Sequence, residues 1–173
     1  MFEPKYLIRL DKKTFSHDQV VCLGSQLKSI VKNLSELIES HVWFGADVDA
    51  ISPMPKKLGI DSFQLRKIGD SQSLINVCEN IDQFLSGVFI AVKEKNQNFK
   101  CSELRIGTED EQFRSLNLDG ILIEIRAFDT SYFEVYSDNL SLMKRLSKTY
   151  RIKIDHIHLY PSRMKNLNAK KNT

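Results

Sequence analysis

Seven glycines in 173 residues leave little material for a phosphate-cradling loop, and neither a P-loop nor a dinucleotide-binding fingerprint occurs. Three cysteines, Cys22, Cys78 and Cys101, are too few and too far apart for a disulfide framework or a zinc knuckle. They read as reduced thiols, with Cys22 and Cys78 serving as small apolar residues on helices. No apolar run approaches the ~20 residues of a membrane span. Residues 1–15 lack the basic start and apolar core of a secretory leader. Ser-His-Asp and Cys-His arrangements are absent as well. The expected class is therefore a cytoplasmic protein with no cofactor, no bound metal and no membrane contact.

Charge is present in quantity but unevenly placed. Residues 144–173 hold nine Lys or Arg against the single acid Asp155, while residues 1–143 hold sixteen basic and twenty-one acidic residues. A net charge of +3 thus conceals an acidic body and a basic end, which points to interaction rather than to fold. At this length the chain is one domain and buries roughly 70% of its unfolded surface without staples. The expected division is a domain over 1–160 and a basic, flexible tail over 161–173.

Residues 5–10 read as a strand. Ser16 and Gln19 have capping-box spacing, and Val20, Leu23, Leu27, Ile30, Val31, Leu34, Leu37 and Ile38 continue as one apolar stripe. This predicts a helix over 16–40 with Gly24 inside it. A strand over 42–51 follows, then a loop-rich stretch over 53–70 with turns at Gly59 and Gly69. Leu74, Cys78, Ile81 and Leu85 predict a second helix over 71–86, closed by Gly87. The run 88–92 reads as a central strand, 102–106 as a short edge strand and 107–119 as an acidic loop. Residues 120–137 read as a hairpin turning at Asp129, Thr130 and Ser131. Its alternation puts Ile121, Ile123, Ile125, Ala127, Phe133 and Val135 on one face, and Glu124, Arg126, Phe128, Tyr132, Glu134 and Tyr136 on the other. Arg126 then stands opposite Glu134. Asp138 or Asn139 caps a helix over 140–150, and 151–160 returns to strand. The expected fold is α+β: a single mixed, mostly antiparallel sheet with helices packed on one face.

Three constellations have a chemical reading. Asp47 and Asp49 alternate on a strand, as carboxylates holding Mg²⁺ for nucleotidyl or phosphoryl transfer would, with Gly24, Ser25 and Glu124 as further recruits. That glycine-serine pair should lie on a turn about a dozen residues upstream, however, not within a helix. Glu124 and Arg126 take the places of a nuclease Glu-x-Lys pair, but a guanidinium does not transfer protons near neutral pH. His156 and His158 share a strand face without a second histidine pair to complete a site. In each case a solvated strand face is the simpler reading.

The expected function is accordingly a non-catalytic protein-interaction role. The specific expectation is an immunity- or antitoxin-like neutraliser of a bacterial toxin, for which a basic nuclease domain is the natural target. Its partner-binding residues would be Asp47, Asp49, Glu109, Asp110, Glu111, Arg126, Phe128, Tyr132, Glu134 and Tyr136. The alternative is a nucleic-acid-binding module using Lys144, Arg145, Lys148, Arg151, Lys153, Arg163 and Lys165, with Tyr150 and Tyr160 available for stacking. An exposed hairpin edge also leaves a homodimer open.

Overall fold

The computed structural model describes Phe2 and residues 4–93, 104–110 and 120–157. The strands are β1 (Tyr6–Asp11), β2 (His41–Ala50), β3 (Arg66–Gly69), β4 (Phe84–Lys93), β5 (Ile121–Phe128), β6 (Tyr132–Ser137) and β7 (Asp155–His156). The helices are α1 (Gly24–Leu34), α2 (Met54–Leu58), α3 (Ser71–Cys78) and α4 (Leu140–Tyr150). Among the described residues the strands form one sheet in the order β3-β2-β4-β5-β6-β1-β7, antiparallel throughout. The α+β architecture is the expected one.

Period-two alternation sorts each strand between two layers. Ile8 and Leu10 of β1, Ile123, Ile125 and Ala127 of β5, and Phe133 and Val135 of β6 meet Leu27, Ile30 and Leu34 of α1, Leu74 and Cys78 of α3, and Leu142, Met143 and Leu146 of α4. This is the main core, and α1, α3 and α4 all lie on that face. A smaller apolar cluster occupies the opposite face, with Phe44, Val88, Ile90 and Tyr136 from the strands and Leu65, Ile106 and Phe2 from segments laid over them. Ile121 joins this second cluster rather than the first, because the β4–β5 register shifts between Ala91 and Val92.

The hairpin forms in the expected register, with Arg126 opposite Glu134 and Phe128 opposite Tyr132. Ser131 N–H donates to the Phe128 carbonyl at 2.7 Å, and both Asp129 and Thr130 have positive φ. This is the mirror-image turn that matches strand twist. Asn139 caps α4 as expected, accepting from the N–H groups of Ser141 and Leu142.

Three boundaries differ from the sequence reading, each for a tertiary reason. Helix α1 starts at Gly24, not near residue 16. Residues 12–22 form turns and bends, the Cys22 carbonyl accepts from Phe84 N–H at 2.7 Å and Leu23 bridges to Gln83, so this stretch is tied to the start of β4 instead of winding into helix. Gln26, not Gln19, reaches back to the Leu23 N–H. Cys22 therefore sits in the turn before the helix, buried and at positive φ. Gly24 opens α1 against the carbonyls of Cys78 and Ile81, where a Cβ would collide with backbone. Helix α3 ends at Cys78, and residues from Phe84 onward are strand, which puts Gly87 inside β4. The stretch expected as loop over 53–70 contains α2 and the edge strand β3. Of the predicted strand over 151–160, only β7 is strand among the described residues.

Candidate functional site

On the sheet face away from α1, α3 and α4, strand alternation presents Arg9, Ser86, Glu124, Arg126, Phe128, Tyr132, Glu134 and Tyr136. Residues 104–110 are laid across it. Leu65 N–H donates to the Leu104 carbonyl and Ile106 N–H to the Phe63 carbonyl, at 3.0 and 2.8 Å, so this segment is pinned in strand-like fashion at one side. It then turns at Gly107, whose N–H donates to the Asp110 carboxylate at 2.7 Å.

A bulge in β2 supplies the second attachment. The β2–β4 register shifts between Ala46 and Asp49, and Asp47 adopts a φ of 52°. The left-handed region suits Asp better than most residues. The bulge turns the Asp47 carboxylate to accept Thr108 N–H at 2.7 Å. The Thr108 hydroxyl in turn accepts Gly87 N–H at 3.0 Å.

Arg126 is the third attachment. Its Nη1 donates to the carbonyls of Thr108 and Asp110 at 2.9 and 2.7 Å, and its Nε donates to Glu124 at 2.5 Å. Arg126 is only 2% exposed, so the pair is desolvated as well as bonded. Removing one member of such a pair is costly, because the other charge is left buried alone.

A second acid lies alongside. Glu134, opposite Arg126 and fully buried, accepts from both Nε and Nη2 of Arg9 at 3.0 and 2.5 Å and from the Tyr136 hydroxyl. The Arg9 guanidinium also lies 4.3 Å from the centre of the Tyr132 ring, and Tyr132 stacks on Phe128 with centroids 5.1 Å apart. Burial raises the pKa of the Glu124 carboxyl, against the opposing pull of Arg126. Burial and then Glu134 push the Tyr136 and Tyr132 hydroxyls up. Burial alone would lower Arg9, but its bond to Glu134 and the charge there raise it on balance.

Nine of the ten residues expected to bind a partner therefore converge on this one face; Glu111 lies outside the described residues. They differ from the expected open surface in exposure. Arg126, Glu134, Tyr136 and Phe128 are buried, because the 104–110 segment and the Arg9 and Tyr132 side chains lie against them. What faces solvent is Asp49 and Glu109, with Asp47, Asp110 and Tyr132 half-buried and the Arg9 side chain half-exposed. Sequence reasoning missed Arg9 and Thr108. The parity of β1 alone would have placed Arg9 on this face.

The chemical readings do not assemble. Asp47 is bonded to Thr108, Glu124 to Arg126, and Asp49 stands exposed opposite Ser86. Gly24 and Ser25 open α1 rather than lying inside it, as the sequence suggested. Among the described residues no group of three or more His, Cys, Asp or Glu could hold a metal ion. His156 lies edge-on to Tyr6 at 5.1 Å, and His158 is outside the described residues.

The basic end is divided. Lys144, Arg145 and Lys148 lie exposed on α4, Arg151 forms its left-handed C-terminal cap, and Lys153 stands 3.9 Å from Asp155. Arg163, Lys165 and Tyr160 are outside the described residues. Tyr150 is no stacking platform: its ring packs against Phe15 and its hydroxyl bonds Ser29 at 3.0 Å. Among the described residues no helix is long and apolar enough to cross a membrane. Comparison with protein-family models, curated proteins and solved structures finds no match.

Proposed function

We propose that this protein is a non-catalytic binding protein that docks a basic protein partner on its loop-covered sheet face. The observation that carries this reading is the Arg126 latch. A buried guanidinium fixes the carbonyls of Thr108 and Asp110, and so holds Glu109 and Asp110 in one place beside Asp49 and the Phe128–Tyr132 stack. An acidic segment fixed in this way loses little conformational freedom on binding, which favours affinity. Tyr and Arg at the rim are residue types that often dominate interface energetics.

Within this reading, the partner of best complementarity is an enzyme with a basic cleft, such as a toxic nuclease, whose active site the acidic face would cover. An immunity- or antitoxin-like role needs no catalytic group of its own, in keeping with carboxylates that are already engaged by backbone and guanidinium.

The test is affinity capture from native lysate with and without nuclease treatment, using wild type and an Asp49→Lys/Glu109→Lys variant side by side. The expected result is one stoichiometric partner of basic character, retained by wild type and lost by the variant. The purified partner's activity should be inhibited at one-to-one stoichiometry. Equal retention by both proteins, or capture of nuclease-sensitive material alone, overturns the proposal.

A further inference from the structure

The opposite face of the molecule has the reverse charge. Helices α1 and α4 pack side by side, joined by Ser29–Tyr150 at 3.0 Å and Asn33–Thr149 at 3.4 Å. Neither helix contains an Asp or Glu, and together they carry Lys28, Lys32, Lys144, Arg145 and Lys148. An ordinary solvated helix face mixes the two signs, since pairs three or four residues apart stabilise it. Between them runs an open cleft of about 460 Å³ lined by Ser25, Lys28, Ser29, Lys32, Asn33 and Arg145. Lys148, one turn beyond Arg145, extends the row.

Among the described residues, acids border this surface without lining the cleft; beyond Lys32 a neighbouring hollow is lined by Glu36, Glu39 and Asp70. Glu79 pairs with Lys28 at 2.6 Å, and Glu36 approaches Arg145 at 3.6 Å. The acids are 48% and 78% exposed, so water screens both pairs and they hold the cations weakly. Lys32, Lys144 and Lys148 make no ion pair among the described residues.

We infer that the α1–α4 cleft binds the phosphodiester backbone of a nucleic acid, without regard to base. The cleft supplies what a phosphate row requires, several cations along a groove with the Ser25 hydroxyl in its lining, while Ser29 and Asn33 are engaged in joining the two helices. It lacks what base recognition requires. No aromatic side chain lines it, and Tyr150, whose hydroxyl bonds Ser29, packs its ring against Phe15. The inference is independent of the partner proposed for the other face, and the two surfaces lie on opposite sides of the sheet.

Fluorescence anisotropy with a labelled 20-base-pair duplex of random sequence, and with an RNA of equal length, tests this on the full chain. Binding should be tight at low salt. It should weaken as salt rises, with a slope of log K against log salt of about −3 to −4, as four phosphate contacts require. Lys32→Glu with Arg145→Glu should weaken binding at least about tenfold and flatten the slope by about 2. Both positions are exposed, and an unchanged melting curve would establish that the variant is folded.

The competing source of charge is the C-terminal segment. A full-length variant with Arg163, Lys165, Lys170 and Lys171 all changed to Gln should retain most of the affinity. If that variant loses binding while the cleft variant keeps it, the inference is wrong. It is equally wrong if neither nucleic acid binds at low salt, or if an acidic peptide displaces the duplex at concentrations where unlabelled duplex does not.

Discussion

On the helix face, Lys32, Arg145 and Lys148 are exposed and Lys28 is half-buried, all placed there by helix periodicity. On the opposite face, Arg126, Glu124 and Glu134 lie within the protein: Arg126 donates to Glu124 and to the 104–110 backbone, and Glu134 accepts from Arg9 and Tyr136. The first set of charges is available for a partner and contributes little to holding the fold. The second set is spent on structure, and exposes its acidic character only through the segment it holds down. Charge of either sign thus means different things on the two sides, and burial decides which.

The sharpest way to break the comparison is Arg126→Met. It leaves Glu124 without its guanidinium and releases the Thr108 and Asp110 carbonyls, for an expected loss of about 3–5 kcal/mol. Lys32→Gln on the helix face should change stability by no more than about 0.5 kcal/mol. Urea denaturation of both variants measures the difference. Equal effects would mean that burial does not separate the two faces.

A smaller effect isolates the bulge. Asp47→Ala removes the acceptor for Thr108 N–H and places a less tolerant residue at positive φ, for an expected loss of about 2 kcal/mol. Asp47→Asn keeps an acceptor and a residue that tolerates the left-handed region, so it should cost clearly less. If the two variants melt together, the carboxylate's bond to Thr108 is not what anchors the loop.

The smallest effect lies outside both faces and serves as a reference. His41, at the start of β2, has a buried Nδ1 without a hydrogen-bond partner among the described residues. Burial first, and the nearby Lys93 charge, lower its pKa. With the folded value depressed, the unfolded chain binds the extra proton. The contribution of a neutral His41 is therefore present above about pH 6.5 and lost as pH falls through the interval below it. Melting temperatures of wild type and His41→Gln should draw together as pH falls from 7.5 to 5.5. A gap that does not move would remove His41 from the account.

Much of the sheet was legible because alternation is local. The hairpin register, the Arg126–Glu134 pairing and the Asn139 cap each depend on residues within a few positions of one another. The ends of α1 and α3 were not legible, since the strand-like hold of β4 on Cys22 and Leu23 connects segments some sixty residues apart. The candidate partner face was legible as a set of residues but not as a surface. Alternation gives the side of the sheet on which Arg126 lies; it carries no information on what lies over it.

By itself the sequence determined that this is an α+β chain with an acidic body and a basic end, because composition and periodicity act over single turns and strands. Only the tertiary structure decided that the hairpin's charges are buried, that Asp47 ties down a loop instead of standing beside Asp49, and that α1 brings its lysines alongside Arg145. Each of these depends on which distant segment excludes water from a given side chain, and desolvation is a property of the packed chain rather than of any stretch of it.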